Sequence, residues 1–283
     1  MSISGAEERE SFQKFYECWI VEQDHHLQEL ISASRAQHET NEEQQERVLR
    51  PLIDRVLRHY DQYYCAKSRW TKQDVLSMLS PSWRSSLEDA FLWIGGWRSS
   101  MAFHLLYSKS GLQLEEQLAD IIRGLGTGDL ADLSPSQLSS VDDLQRKTIR
   151  EEKEITEKMA KHQETMADSS MVELTHVVTE LMRENEMGGF EEERVEGTLA
   201  PKEEGLENLL ERADDLRKRT LKGVIDILSP IQAVHFLIAA AELHLRLHEW
   251  GEKRDSLNNG NGNGNGNGNG NGNGNGNGNG NNS

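Results

Sequence analysis

Apolar residues recur at helical spacing along most of the chain, and polar positions lie between them. In a first segment, from residue 8 to 35, they form one continuous face. The residues of this face are Phe12, Phe15, Tyr16, Trp19, Ile20, Leu27, Leu30 and Ile31. The pattern repeats from Val48 to Tyr64, where Pro51 predicts either a kink or a new helix start. Because no segment alternates convincingly like a strand, we predict an all-α fold, a multi-helix bundle of long amphipathic helices.

Two helix starts share one capping pattern. Residues 134–137 and 229–232 each place Ser at the N-cap, Pro at the first helical position and Gln at the third. These side chains satisfy backbone N–H groups that a helix start leaves free. The pattern predicts a long helix from Pro135 to about Met166 and a last helix from Pro230 to about Trp250.

The segment from Pro81 to Ser108 contains three of the six tryptophans. Ser85 and Glu88 have capping-box spacing, which predicts a helix that carries Ile94 and ends at Gly95. A second helix then begins after Ser99 or Ser100. The simplest interpretation is an aromatic helical hairpin that belongs to the core.

Two segments are poor in apolar residues. Residues 182–205 contain eight glutamates, three basic residues and four glycines, and from Asn259 the chain consists of eleven Asn-Gly pairs followed by NNS. Such compositions cannot bury enough apolar surface to offset the entropy of ordering. We therefore predict a disordered N-terminus at 1–9, a helical domain at 10–254 with a flexible acidic loop at about 183–205, and a flexible tail at 255–283.

The charge and the cysteine content limit the classes of protein to which the chain can belong. The net charge of −17 repels phosphate backbones. The basic run from Arg217 to Lys222 lies on an amphipathic helix, so we interpret it as a solvated face rather than a nuclear-import signal or a phosphate contact. Cys18 and Cys65 lack metal or redox spacing and are expected to be reduced, semi-buried thiols. With no apolar leader or membrane-length run, a nuclear or cytoplasmic location is predicted, without a membrane partner.

No catalytic motif emerges, and we predict that the protein is not an enzyme. The glycines near Gly124 lack a preceding strand and a P-loop lysine, so they indicate a loop. His244 and His248 lie four apart on the last helix, where His248 projects into an apolar sector and His244 lies at its edge. They are either partnered core residues or ligands. Of His25-His26, at most one side chain reaches any given site, and solvated surface is the favoured interpretation.

Three sequence blocks resemble the plant Delay-of-Germination domain, which also occurs C-terminal to the bZIP region of TGA-type transcription factors. The blocks are PSWRSSLEDAFLWIGGWRSS from Pro81, FQKFYECWIVEQDHHLQEL from Phe12, and ILSPIQAVHFLIAAAELHLRLHEWG from Ile227. They occur in the family's order and imply coverage from about residue 10 to 254. The positions interpreted as the family-signature core are Trp19, Trp83, Trp93, Gly95, Gly96 and Trp97.

The resemblance implies a cofactor and partners. Proteins of this family are associated with haem through two histidines of the closing block, and His244 and His248 occupy the matching positions. Two side chains four apart on one helix cannot be trans axial ligands, so at most one ligates iron unless the helix unwinds or two chains share a haem. From the helical projection, we expect His248 to matter more. The implied partners are type 2C protein phosphatases of the abscisic-acid pathway or other regulatory proteins; self-association is left open.

Three functions compete at this point. The first is a non-catalytic plant regulatory protein of seed-dormancy, abscisic-acid or developmental signalling. The alternative is a TGA-like transcriptional regulator or cofactor; only eleven residues, with the single arginine Arg9, precede Phe12, so specific DNA binding is not expected without a bZIP partner. The third, a haem-dependent enzyme, requires an open coordination position.

Overall fold

A computed structural model describes residues 2–37, 42–116, 130–184 and 190–261. Within these ranges the regular secondary structure is helical, which confirms the all-α prediction, and short 3-10 turns lie at Leu130–Asp132 and Thr165–Ala167. The α-helices are α1 (Ser2–Gln37), α2 (Glu42–Thr71), α3 (Val75–Leu79), α4 (Ser86–Asp89), α5 (Met101–Glu116), α6 (Pro135–Glu164), α7 (Ser169–Glu184), α8 (Phe190–Ile227) and α9 (Pro230–Asn261).

Both predicted capping boxes are present. The Gln137 side chain accepts a hydrogen bond from the backbone N–H of Ser134 at 2.9 Å, and the Ser134 hydroxyl accepts one from the N–H of Gln137 at 3.2 Å. Ser229 and Gln232 form the same reciprocal pair at the start of α9. These contacts confirm the predicted starts of α6 and α9.

Helix α2 continues through Pro51, so the alternative of a new helix start at that residue is wrong. Apolar residues on both sides of the proline, Leu49, Leu52 and Ile53, are buried in the same core. Continuing the helix keeps these side chains on one face, and their burial outweighs the loss of one backbone hydrogen bond.

The two largest apolar cores of the described residues both contain side chains of α2 and α8. The larger one contains residues of α2, α5, α8 and α9, with Phe103, Val224 and Phe236 fully or almost fully buried. The smaller one is aromatic and lies where the N-terminal part of α1 meets the second half of α2 and the segment from α3 to Trp83. Its buried members are Phe12, Tyr16, Trp19, Tyr63, Tyr64, Ala66, Val75, Met78, Trp83 and Leu210.

The remaining helices extend from α8. Helix α6 packs along α8 with Val141, Thr148 and Ile155 on its buried side, and α7 packs on α8 nearer its start. Helix α9 contacts α1, α2, α4 and α5, so it joins the two cores to the signature segment. On this central helix, the two predicted haem histidines are half-buried.

The predicted boundaries differ from the observed elements. Residues 2–9 and 255–261 belong to α1 and α9, and residues 190–205 of the expected acidic loop form the first part of α8. Within this part of α8, the Lys202 ammonium group donates hydrogen bonds to the Thr165 carbonyl at 2.6 Å and to the Asp168 carboxylate at 2.8 Å. These contacts fix α8 against the corner between α6 and α7. Residues 185–189 and 262–283 lie outside the described residues.

Both cysteines are exposed, so the expectation of semi-buried thiols for Cys18 and Cys65 is wrong. They lie on the polar faces of α1 and α2, away from the apolar stripes that the cores bury. The loop predicted near Gly124 falls within residues 117–129, which lie outside the described residues. Among the described helices, none is both long and apolar enough to cross a membrane.

Candidate functional site

The signature segment contains a much shorter helix than predicted. The Ser85–Glu88 capping box is present, but α4 ends at Asp89, so the expectation of a helix reaching Ile94 is wrong. Trp93 and Gly96 instead form a tight turn, in which each backbone N–H donates to the other residue's carbonyl, at 2.7 and 3.3 Å. Ile94 and Gly95 adopt positive φ angles of 46° and 65° inside this turn.

The turn is held by buried positive charges from two other helices. Arg217 of α8 is fully buried, and its guanidinium donates to the carbonyls of Trp97 at 2.6 Å, of Ile94 at 2.9 Å and of Trp93. Lys67 of α2 donates to the carbonyl of Gly95 at 2.8 Å. Charged side chains thereby satisfy the carbonyls of the turn, which have no helical partners, and stabilise the turn at this position.

Asp214 completes this cluster, which we call the charge network (Lys67, Asp214 and Arg217). Its carboxylate accepts from Lys67 at 3.0 Å and from Arg217. Burial lowers the pKa of Lys67 to about 7, although Asp214 opposes the shift. The interpretation of Arg217 as part of a solvated face is therefore wrong, whereas Arg219 and Lys222 form surface ion pairs as that interpretation implies.

Both signature glycines are required by close approach. A Cβ atom on Gly95 would lie 2.7 Å from the Met78 carbonyl oxygen, and one on Gly96 would lie 2.8 Å from the Arg217 guanidinium carbon. Gly95 also has the positive φ that glycine adopts without a steric cost. The glycine pair therefore allows the turn to sit directly on α3 and α8.

The signature tryptophans use their N–H groups within the protein, with one exception. Trp93 donates to Thr156 at 3.0 Å, half-buried Trp97 donates to the Tyr64 hydroxyl at 2.9 Å, and Trp19 donates to the His59 carbonyl at 3.1 Å. Trp83 packs against Phe12, with ring centroids 4.6 Å apart, and its buried N–H has no partner. All four indole rings thus pack against other side chains of the protein.

An apolar groove of about 180 Å³ lies between the signature segment, α5 and α9. We define the apolar groove by six side chains along its wall and rim: Phe91, Trp97, Met101, Leu105, Leu243 and Leu247. The charge network and His244 also border it. Three rim side chains remain open to solvent, with Phe91 64%, Leu243 45% and Met101 39% exposed.

The structure reverses the expected placement of the two α9 histidines. His244 borders the groove, and its Nε2 lies 3.3 Å from the hydroxyl of Tyr16. Burial, and to a smaller extent nearby Arg84, lowers the pKa of His244 to about 4, so the ring is neutral at pH 7. The helix face assigned to His248 instead packs Ala241 and Leu245 on α1.

His248 lies outside the groove, beside the signature capping box. Its Nδ1 lies 3.0 Å from the Glu88 carboxylate, and its Nε2 lies 3.5 Å from that of Glu252. The hydrogen bond to Glu88 raises the pKa of His248. Burial alone would raise the pKa of Glu88, but hydrogen bonds from His248 and Ser85 outweigh it and lower the pKa to about 2. The two groups form an ion pair that joins α9 to α4.

The two histidines do not fit a shared haem in this arrangement. One ring nitrogen of His244 contacts Tyr16, both nitrogens of His248 face carboxylates, and only His244 borders the groove. The groove volume of about 180 Å³ also lies below the roughly 300–1,000 Å³ of pockets that enclose drug-sized ligands. Haem binding stays a prediction from the resemblance.

A second histidine group, which the sequence interpretation missed, lies between α1 and α2. We call Glu22, His26 and His59 the histidine pocket. The rings of His26 and His59 are 5.0 Å apart between centroids, and the His59 ring stacks on Trp19 at 4.5 Å with an interplanar angle of 2°. Burial, then His26 and His244, lowers the pKa of His59 to about 4.

The two adjacent histidines of α1 point in different directions, as expected for neighbouring positions on a helix. His25 is exposed, as expected for solvated surface, whereas that expectation is wrong for buried His26. The sequence feature that could have indicated the histidine pocket is the spacing of Glu22 and His26, which lie four apart on one helix face. The third member, His59, belongs to another helix, and nothing in the local pattern connects it to them.

Comparisons with known proteins identify similar chains. A family model described as DOG1, seed dormancy control, matches residues 26–108. Protein DOG1-like 3 of Arabidopsis thaliana is 34% identical over 253 residues, which cover 87% of this chain and 85% of that protein. Protein DOG1-like 4 of Arabidopsis thaliana is 33% identical, with 87% and 94% covered. Transcription factor TGA2.3 of Oryza sativa subsp. japonica is 29% identical, with 84% of this chain but 62% of that protein covered.

Proposed function

Because the chain belongs to the DOG1-like family of plant regulatory proteins, we propose that it is a non-catalytic regulator that acts by binding other proteins. The family membership confirms the resemblance predicted from the three sequence blocks. The observation that carries the proposal is the apolar groove, whose rim side chains Phe91, Met101 and Leu243 are exposed beside the signature turn.

Exposed apolar side chains grouped around a concave surface are typical of protein-binding sites. Phe91 is an aromatic side chain at the edge of the groove, a residue class that supplies much contact area with little loss of rotamer entropy. The backbone next to it is held by Arg217 and Lys67, so docking a partner would require little ordering of the segment. Such a preformed surface favours binding over chemistry.

The family resemblance makes type 2C protein phosphatases the first partner class to test, in abscisic-acid or seed-dormancy signalling in the nucleus or cytoplasm. The net charge of −17 favours partners with a basic surface, because charge complementarity accelerates association. The apolar groove supplies the contact proposed to carry the affinity. Self-association through the same groove is the competing mode.

The test compares binding of a purified type 2C phosphatase to the parent chain and to Phe91→Glu. If this exposed aromatic side chain anchors the partner, a charge in its place should weaken binding at least about 30-fold, since hot-spot residues contribute 2 kcal/mol or more. The matched control is Val172→Glu on α7, which is 59% exposed and does not line the groove. Equal affinities of both variants for the phosphatase would contradict the groove as its binding surface.

A second candidate is a cofactor of TGA-type transcription factors. The similarity to TGA2.3 extends over 84% of this chain, so the same helical domain occurs in a DNA-binding protein. We expect no specific mobility shift of duplex DNA by this protein alone, and a further retardation of a TGA–DNA complex if it acts as a cofactor. A sequence-dependent shift by the purified protein would contradict the first part of this expectation.

A further inference from the structure

None of the three residues of the histidine pocket lines the apolar groove, although Trp19, on which His59 stacks, borders it. The proposed function does not use the histidine pocket. We propose that Glu22, His26 and His59 bind one transition-metal ion of the Zn²⁺ class between α1 and α2. The three side chains present one carboxylate and two imidazoles toward a common point, and their ligand atoms all lie within 4.8 Å of one another.

The distances are close to those that a tetrahedral ion requires. Ligand atoms about 2.1 Å from such an ion lie about 3.4 Å from one another. In the Glu22 carboxylate, Oε2 lies 3.5 Å from His59 Nδ1, and Oε1 lies 3.8 Å from His26 Nε2. The third separation, between the two imidazole nitrogens, is at most 4.8 Å, so binding an ion would draw the three donors closer together.

The second observation is that the buried imidazole of His59 lacks hydrogen bonds. The residue is 2% exposed, and neither of its ring nitrogens makes a hydrogen bond. Its stacking on Trp19 accounts for the position of the ring, but it does not satisfy the nitrogens. Buried polar groups without partners are rare because they lose hydration without compensation. A metal ion at Nδ1 would supply the missing interaction for that nitrogen.

An outer contact orients His26 as a ligand. Its Nδ1 lies 3.2 Å from the Glu29 carboxylate, which also accepts a hydrogen bond from Arg55 at 2.8 Å. A proton on Nδ1 donated to Glu29 leaves the lone pair of Nε2 directed toward Glu22. Metal-binding histidines are commonly oriented in this way by a carboxylate on the other ring nitrogen.

The donor set selects the class of metal. Two imidazoles and one carboxylate suit Zn²⁺ and neighbouring divalent transition metals, whereas Mg²⁺ and Ca²⁺ prefer oxygen ligands alone. Glu22 is 57% exposed on its side chain, so an ion can enter from solvent on that side. Because the ligands come from two helices, a bound ion would join α1 to α2 and stabilise the folded state.

The experiment is calorimetric titration of ZnCl₂ into the metal-free full chain, with any affinity tag removed. We expect one ion per chain and, at about a hundredfold excess over Kd, a rise in Tm of roughly 5–10 °C. Co²⁺ should give the visible absorption of a tetrahedral site. Absence of stoichiometric binding by the parent would overturn the proposal.

Two ligand variants and two controls locate the site. Glu22→Gln alters an exposed side chain and should weaken Zn²⁺ binding at least about tenfold, while His59→Phe should abolish it. His25→Gln and His176→Gln remove exposed histidines outside the pocket and should bind as the parent does. Equal affinity of the parent and Glu22→Gln would overturn the three-ligand site, even if His59→Phe fails to fold.

Discussion

The charge network and the histidine pocket both bury polar side chains, but they differ in how completely these are partnered. Arg217 and Lys67 each donate to backbone carbonyls and to Asp214. In the histidine pocket, His59 is just as inaccessible, yet its ring nitrogens make no hydrogen bond. The charge network is paired inside the protein and serves the fold, whereas the unbonded nitrogens of His59 require an explanation, which a bound ion would supply.

The largest effect is expected at the charge network. Arg217→Ala removes one donor from the carbonyls of Trp93, Ile94 and Trp97 and leaves the Asp214 carboxylate with Lys67 alone. Breaking a buried pair in this way costs about 3–5 kcal/mol. The measurement is the free energy of unfolding from chemical denaturation. Arg219→Ala, two residues further along α8 at the surface, is the control and should cost less than about 1 kcal/mol. Similar losses for both variants would show that the network does not hold the fold.

The next effect tests whether the turn needs its glycines. In Gly95→Ala, the methyl group would approach the Met78 carbonyl at a positive φ, and the expected cost is about 1–3 kcal/mol. The same change at Gly197 in α8 meets open space and should stabilise the protein by about 0.5–1 kcal/mol, as expected for a helical position. A neutral Gly95→Ala would mean that the turn relaxes in solution.

A smaller, pH-dependent effect is expected at the Glu88–His248 pair. Because the pKa of His248 is raised, its contribution to the free energy of unfolding is fully present below about pH 6.5. That contribution is lost as the pH rises through the folded-state pKa. Because the pKa of Glu88 is lowered, its contribution to the free energy of unfolding is fully present above about pH 4.5. That contribution is lost as the pH falls through about 2. The pair therefore stabilises the fold most between these limits, where Glu88→Gln should cost about 1.5 kcal/mol.

The check is the difference in Tm between the parent and Glu88→Gln as a function of pH. Glu252 also raises the His248 pKa and Arg84 lowers it, so Glu252→Gln serves as a control with a smaller effect. The difference should shrink as pH rises above neutrality, because neutral His248 no longer attracts the carboxylate. A difference that stays constant from about pH 5 to about pH 9 would exclude the charged pair as its cause.

The smallest effect is expected at the histidine pocket in the absence of metal. His59→Phe keeps the stacking on Trp19 and removes two buried nitrogens, so stability in the presence of a chelator should be unchanged or rise by up to about 1 kcal/mol. A loss above about 2 kcal/mol would show that these nitrogens have partners in solution. That outcome would remove the contrast with the charge network.

The sequence was informative where the deciding interactions are local. The Ser134 and Ser229 capping boxes involve residues three apart, and helical periodicity depends on neighbours within one or two turns. The capping box at Ser85 was predictable for the same reason. The resemblance of the three blocks to a known domain was likewise readable in the residues themselves, and the comparisons confirm it.

Tertiary structure decided everything that depends on how the helices rotate against one another. The sequence determined that α1, α2, α8 and α9 form and which residues share a face. Only packing placed Arg217 under the signature turn, where it donates hydrogen bonds to carbonyls more than a hundred residues away in the chain. Packing also directed His244 rather than His248 to the groove and brought His59 against His26. A helical pattern records spacing along one axis, whereas the partner that each face meets is set by side chains far away in the chain.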